Sequence, residues 1–262
     1  ITATVPIGKA YIYGFANIDS EVYGNIKGLL DAINTLDDMQ NAKVTIQETA
    51  RNLTRIGSTL LMAGSCSNNN DGSYTITADT KEIKHIRLKR LDSQITFNFS
   101  AGTGSKFTAL EWHCVNAPAS SMLLEKSANP SATTYGNWDA SNNADDFYTN
   151  YESKKYITNN TFTFFMPENR KVAKNSISNY NDRERETTEN KLNHVPGTPR
   201  TYINAPDNAT YVVVHGTFEG KANNEDVSAD VTYVIHLGYL NNNANDFFSN
   251  RNTKYTYNVN FL

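Results

Sequence analysis

The sequence predicts an all-β protein built from sandwiches, with a single helix packed at one edge. Three observations carry this prediction. From Thr59 onward, apolar residues recur at every second position in short runs, and Asn-, Gly- and Pro-containing turns separate the runs. The composition leans toward Asn, Thr, Ser and Tyr, with Lys and Glu thin, as in β-proteins with polar loops. Only one stretch, residues 26–36, carries a strong helical stripe.

The elements follow in order. Residues 9–17 alternate Ala10, Ile12, Gly14 and Ala16 with Tyr11, Tyr13 and Phe15, a strand with apolar surface on both faces. Ile26, Leu29, Leu30, Ile33 and Leu36 then fall at helical steps of three and four. Residues 44–53 fit a helix imperfectly and a strand over 44–46 nearly as well. Residues 60–64 are a short apolar run closed by glycine, and 74–77 a short strand after the turn signal Asn70-Asp-Gly72. Strands are expected over 83–91, 94–99 and 107–115. Residues 116–156 are rich in Ser, Ala, Asn, Asp and Pro without a sustained period, which favours a connection or boundary. The expected division is 1–122 and 123–262. Residues 160–165, 210–218, 227–237 and 253–262 read as further strands, and the charge run Asp182-Arg-Glu-Arg-Glu186 as a solvated, self-compensating loop.

The balance of charge excludes several partners. A net charge of −3 and few basic runs argue against a nucleic-acid or anionic-membrane binder. Mean hydropathy is −0.55, and no apolar run approaches the roughly 18 residues of a membrane-spanning helix. The chain opens on Ile1-Thr-Ala-Thr without a leader pattern, as a mature or trimmed exported chain would.

Catalytic and metal chemistry finds little footing. There is no Gly-x-Ser-x-Gly elbow and no Gly-rich phosphate loop. His113 and Cys114 are neighbours on a strand, so they point to opposite faces and form no dyad. The five histidines lack metal-ligand spacing, and Asn68-Asn-Asn-Asp-Gly72 lacks the acids of a calcium loop. Asp139, Asp145 and Asp146 are a weaker calcium candidate. No cofactor is expected. Cys66 and Cys114 allow one bridge or two free thiols, the latter being the plainer reading. Trp112 falls within a strand and reads as core. Trp138, in the loop Tyr135-Gly-Asn-Trp-Asp139, is the candidate for a glycan contact.

Several segments together resemble the fimbrillin family of Bacteroidales. Arg87-Leu-Lys-Arg-Leu-Asp-Ser-Gln-Ile-Thr-Phe97 is similar to a strand pair of that family, followed by Val115-Asn-Ala-Pro118. Phe164-Phe-Met-Pro-Glu-Asn-Arg170 looks like its aromatic-x-Pro-Glu-Asn segment. Val231-Thr-Tyr-Val-Ile-His-Leu-Gly238, Asn245-Asp-Phe-Phe248 and Arg251-Asn-Thr-Lys-Tyr-Thr-Tyr257 follow in the order of its C-terminal signature.

The resemblance implies two transthyretin-like Greek-key β-sandwich domains, the helix lying in the N-terminal one. It also implies a non-enzymatic subunit of a cell-surface pilus, exported as a lipoprotein precursor to the outer membrane and joined to other pilus subunits by strand addition. A host or bacterial surface receptor or glycan is a further implied partner. In the family one or two strands precede the strand at 9–17. The groove left by a missing first strand is therefore expected near Ile12 and Phe97. No apolar donor tail follows Leu262, which leaves tip, accessory and anchor roles open beside a shaft role. A surface-exposed glycan-binding lipoprotein on the same scaffold is the alternative expectation.

Overall fold

The computed structural model describes residues 4–51, 53, 59–81, 85–125, 147–149, 155–193, 198, 200–222 and 225–261. The described chain is mostly β. Its N-terminal part consists of short pieces. β1 (Gly8–Ala10) and β2 (Ile12–Ala16) are followed by α1 (Ile26–Asp31), α2 (Leu36–Asn41), β3 (Lys43–Thr45), β4 (Met62–Cys66), β5 (Tyr74–Ile76) and β6 (Lys89–Arg90). β1 pairs with β5, while β2, β4 and β6 form a three-stranded sheet. Tyr23, Ile26, Met39, Val44, Ile46, Leu61, Ala63, Leu91 and Leu123 bury a small core there.

The single helix expected over 26–36 is two helices. Thr35 explains the break. Its hydroxyl accepts a hydrogen bond from the Asp38 N–H at 3.1 Å, and the Asp38 carboxylate accepts one from the Thr35 N–H at 2.9 Å. This reciprocal cap starts a new helix and so ends the preceding one. The strand expected over 83–91 is also shorter, since β6 begins at Lys89. Residues 86–88 instead cross the β2–β4 layer where Gly14 faces Gly64 in register. A Cβ on Gly64 would lie 1.9 Å from the Arg87 carbonyl oxygen, so this close approach requires glycine.

The larger body is a sandwich. Its strands are β7 (Asp92–Ala101), β8 (Lys106–Val115), β9 (Ala117–Pro118), β10 (Ser120–Met122), β11 (Phe147–Tyr148), β12 (Lys155–Tyr156), β13 (Thr161–Pro167), β14 (Asn169–Val172), β15 (Tyr211–Ala222), β16 (Glu225–His236), β17 (Asp246–Ser249) and β18 (Lys254–Phe261). One sheet runs β13-β7-β18 and the facing sheet β12-β8-β15-β16. β18 is parallel to β7, whereas the other pairings are antiparallel. Inward-facing Ile95, Phe97, Phe99, Phe107, Trp112, Cys114, Phe162, Phe164, Val212 and Val214 fill the space between the sheets. The Trp112 ring stacks on Phe162 at 4.4 Å and Phe164 at 4.9 Å, so Trp112 is core. Each such large side chain contributes roughly 2–3 kcal/mol of burial.

This pairing corrects the expected division at 122/123. β7 and β8 lie before that point, yet their partners β12, β13, β15 and β18 all lie after it. A cut there would pass through both sheets. β3, from the N-terminal part, likewise pairs with β10.

The charge run 182–186 is not a solvated loop. Its first two residues, Asp182 and Arg183, end α3 (Tyr180–Arg183), and Glu184 to Glu186 lead on toward α4 (Thr188–Asn193). Arg183 is fully buried and donates to the carbonyls of Leu237, Ala244 and Asp246 at 2.9, 2.8 and 2.6 Å. Its guanidinium lies 3.9 Å from the Phe247 ring centroid. Burial lowers its pKa, and three carbonyl acceptors with an aromatic face supply the compensation that a buried cation needs. Glu186 pairs with Arg200 at 2.8 Å. A second buried charge, Arg251, donates to Glu168 at 2.7 Å and to the Met122 carbonyl at 2.8 Å, tying β18's approach to the β10 segment.

Candidate functional site

The features that bear on association with another chain are the lateral edges of the sandwich. Strand edges left unpaired present rows of N–H and C=O groups to any further strand. On one side of the sandwich, residues 156–161 run from β12 to β13 and connect the two sheets. On the other side, β16 ends one sheet and β18 ends the other, and neither carries a further strand among the described residues.

These two edges face one another. Period-two alternation turns Val231, Tyr233, Ile235 and Leu237 of the β16 segment inward, and Tyr255, Tyr257, Val259 and Phe261 of β18 likewise. Tyr233 and Phe261 meet with ring centroids 4.2 Å apart, and Phe107 packs on Phe261 at 4.1 Å. Val231, Tyr233, Tyr257 and Val259 are only partly buried, so half-covered apolar side chains lie between the two edges.

Both ends of the β16 edge are defined. Near His236 the edge is plugged by the residue after α3: the Glu184 carboxylate accepts from the His236 N–H at 3.0 Å and contacts its ring nitrogen. Just beyond, the Tyr257 hydroxyl accepts from the Gly238 N–H at 2.7 Å and donates to its carbonyl. Gly238 has φ +99°, and a Cβ there would collide with the Asp246 carbonyl, so glycine fixes this bridge. Burial raises the Tyr257 phenol pKa. Toward the hairpin tip, residues 225–230 of β16 are exposed.

The outer face of the β13-β7-β18 sheet is polar and uncharged over several rows. Thr161 donates to Asn98 at 2.8 Å, Asn98 to Asn258 at 2.9 Å, and Ser100 to Asn260 at 3.2 Å. Thr96 and Thr163 share a hydrogen bond at 2.8 Å. Such ladders pin the register of β18 without adding charge to its free edge.

Phe97 and Ile12 do not form one groove. Phe97 is fully buried at the centre of β7, stacked 5.2 Å from Phe162 and 4.7 Å from Tyr257. The core around it is covered. Ile12 is half-buried on β2, in a different sheet. Trp138, Asp139, Asp145 and Asp146 lie outside the described residues. Cys66 and Cys114 are free thiols, and burial raises the Cys114 pKa, as a packing residue requires. Among the described residues, no group of three His, Cys, Asp or Glu could hold a metal, and no helix is long and apolar enough to cross a membrane. The alternation that turns Tyr233 and Phe261 inward is present in the sequence. What the sequence lacks is the strand order that makes their strands edges.

Residues 164–259 match a family described as a domain of unknown function, DUF4906. No curated protein matches the sequence. Among solved structures, the chain is similar to a protein from Parabacteroides distasonis provisionally described as a cell adhesion protein, at 14% identity and a TM-score of 0.56, covering 98% of this chain and 77% of that one. It is also similar to the tip fimbrial protein Mfa3 from Porphyromonas gingivalis with a C-terminal truncation, at 15% identity and a TM-score of 0.46, covering 95% and 75%. A protein from Bacteroides eggerthii, again provisionally described as a cell adhesion protein, matches at 13% identity and a TM-score of 0.46, covering 97% and 68%. The chain shares the fold of the Parabacteroides distasonis protein.

Proposed function

We propose that this chain is a non-enzymatic structural or adhesive subunit of a cell-surface pilus, joined to other subunits by strand addition. The observation that carries the reading is the pair of edges β16 and β18, unpaired among the described residues, flanking half-buried Val231, Tyr233, Tyr257 and Val259. An entering strand would gain main-chain hydrogen bonds from an edge, and its alternate side chains would cover these residues. The shared fold with a protein described as a cell adhesion protein supports the reading, as does the order of fimbrillin-like segments along the chain. In this reading the sandwich and the N-terminal part are the two transthyretin-like units of the family. The precursor is a lipoprotein delivered to the outer membrane.

The test is made on source cells. A photo-crosslinking residue is placed at Thr232 or Asn258, both exposed beside the edges, and an antibody to the chain is used for immunogold electron microscopy. The expected result is gold on filaments together with covalent adducts to a second subunit. Gold spread over the cell surface with no filament and no adduct would overturn the proposal.

A further inference from the structure

A cleft of about 510 Å³ opens in the N-terminal part, between the β2-β4-β6 sheet and the turn that precedes β5. Its wall includes Tyr11, Tyr13, Gln40, Ser65, Asp71 and Arg87. Tyr11 and Tyr13 are two residues apart on extended chain, so they share one side of it. Ser65 is the cross-strand partner of Tyr13. The Tyr13 phenol pKa is raised by burial and then by the neighbouring Tyr11, consistent with two phenols side by side.

The charges in this cleft are unequal in one respect. Asp71 is bound to Lys9 at 2.9 Å and accepts from Ser73 at 2.5 Å. Lys89 is paired with Glu125. Arg87 is exposed and makes no hydrogen bond or ion pair among the described residues. It is held at the cleft by the crossing of residues 86–88 over the Gly14–Gly64 pair, which has no room for a side chain at residue 64. A guanidinium with no internal partner is a preformed fork for a carboxylate. Phenols, an amide and a hydroxyl around it match the hydroxyls and apolar ring faces of a sugar better than an aliphatic side chain.

We propose that this cleft binds a carboxylate-bearing saccharide, with Arg87 taking the carboxylate and Tyr11 and Tyr13 forming the wall against which the ring packs. The site is separate from the β16 and β18 edges, so its failure and the failure of strand addition are distinguishable.

The test is saturation-transfer NMR on the full chain. The probes are N-acetylneuraminic acid and glucuronic acid, with glucose and N-acetylglucosamine as neutral controls and N-acetyl-aspartate amide as a non-sugar carboxylate. Acidic sugars are expected to bind with Kd on the order of 1 mM, at least about tenfold more tightly than any control. Arg87→Gln and Tyr11→Ser are each expected to weaken that binding by about tenfold or more while the melting temperature stays unchanged, both residues being exposed. Gly64→Ala, which would displace Arg87, is expected to lose binding alongside a lower melting temperature. Equal binding of acidic and neutral sugars would overturn the role of Arg87, as would undiminished binding by Arg87→Gln. Equal binding of the aspartate amide would overturn the saccharide assignment. No saturation of any acidic sugar up to about 20 mM would overturn the site.

Discussion

Tyr233 and Phe261 hold two sheet edges together across the mouth of the sandwich, their ring centroids 4.2 Å apart. Neither β16 nor β18 has a hydrogen-bonded neighbour on that side among the described residues, so side chains alone close the sheets there.

Phe261 is buried against Phe99, Phe107 and Tyr233. Phe261→Ala is expected to destabilise the chain by about 3 kcal/mol, through lost burial and a residual cavity. Thr256→Ala, on the exposed face of the same strand, should stay within about 0.5 kcal/mol. Urea unfolding checks both: the midpoint should fall for the first at an unchanged slope. Equal midpoints would show that the last residues of β18 add nothing to the sandwich.

Glu168 and Arg251 are each 1% exposed and 2.6 Å apart. Removing Glu168 leaves the Arg251 guanidinium buried among neutral oxygens, whereas Glu168 keeps Arg170 at 3.9 Å when Arg251 is lost, so Glu168→Gln should cost about 3–5 kcal/mol and Arg251→Met less. The double variant should cost clearly less than their sum. A double-mutant cycle by chemical unfolding measures that coupling, and additivity would refute it.

Burial raises the phenol pKa values of Tyr202 and Tyr257 above the ordinary 10.0. A raised folded value means that the native state holds these protons longer than the unfolded state. Their contribution to stability is therefore complete below pH 10 and lost as pH climbs toward the folded values. Ultraviolet titration of phenolate should show exposed tyrosines ionising first, and these two only together with the loss of the far-ultraviolet β signal. Their smooth ionisation in a still-folded chain would contradict the packing.

Cys66 is half-buried and Cys114 fully buried. In the native chain DTNB should titrate Cys66 faster than Cys114, and Cys114 should react only after denaturation. Cys66→Ser should abolish the fast phase. A native chain with two rapidly reacting thiols would disagree with the core around Trp112.

Much of the sandwich was legible because its strands carry their own period. Ile95, Phe97 and Phe99 alternate cleanly, as do Tyr255, Tyr257 and Phe261, and each set is found facing inward. The break between α1 and α2 had a local signal as well, since Thr35 stands three residues before Asp38 in the spacing of a reciprocal cap. Arg183 could not be placed this way. Its acceptors lie 54 to 63 residues further along, and its neighbours in sequence suggest ion pairs at the surface. The edges β16 and β18, and the pairing that crosses residue 122, depend on strand order, which alternation does not encode. Alternation alone places Arg87 in a continuous strand, whereas its segment crosses the sheet where Gly14 and Gly64 make room for it.

The parallel pairing of β18 with β7 also sets a timetable. Asn98 finds Asn258 only after 160 further residues have been made, so one edge of β7 stays unmatched for most of synthesis. Contacts of such long range close slowly. The central strand of this sandwich is therefore vulnerable to the wrong neighbour until the final segment arrives, and a chain interrupted before Lys254 would be left with that edge open.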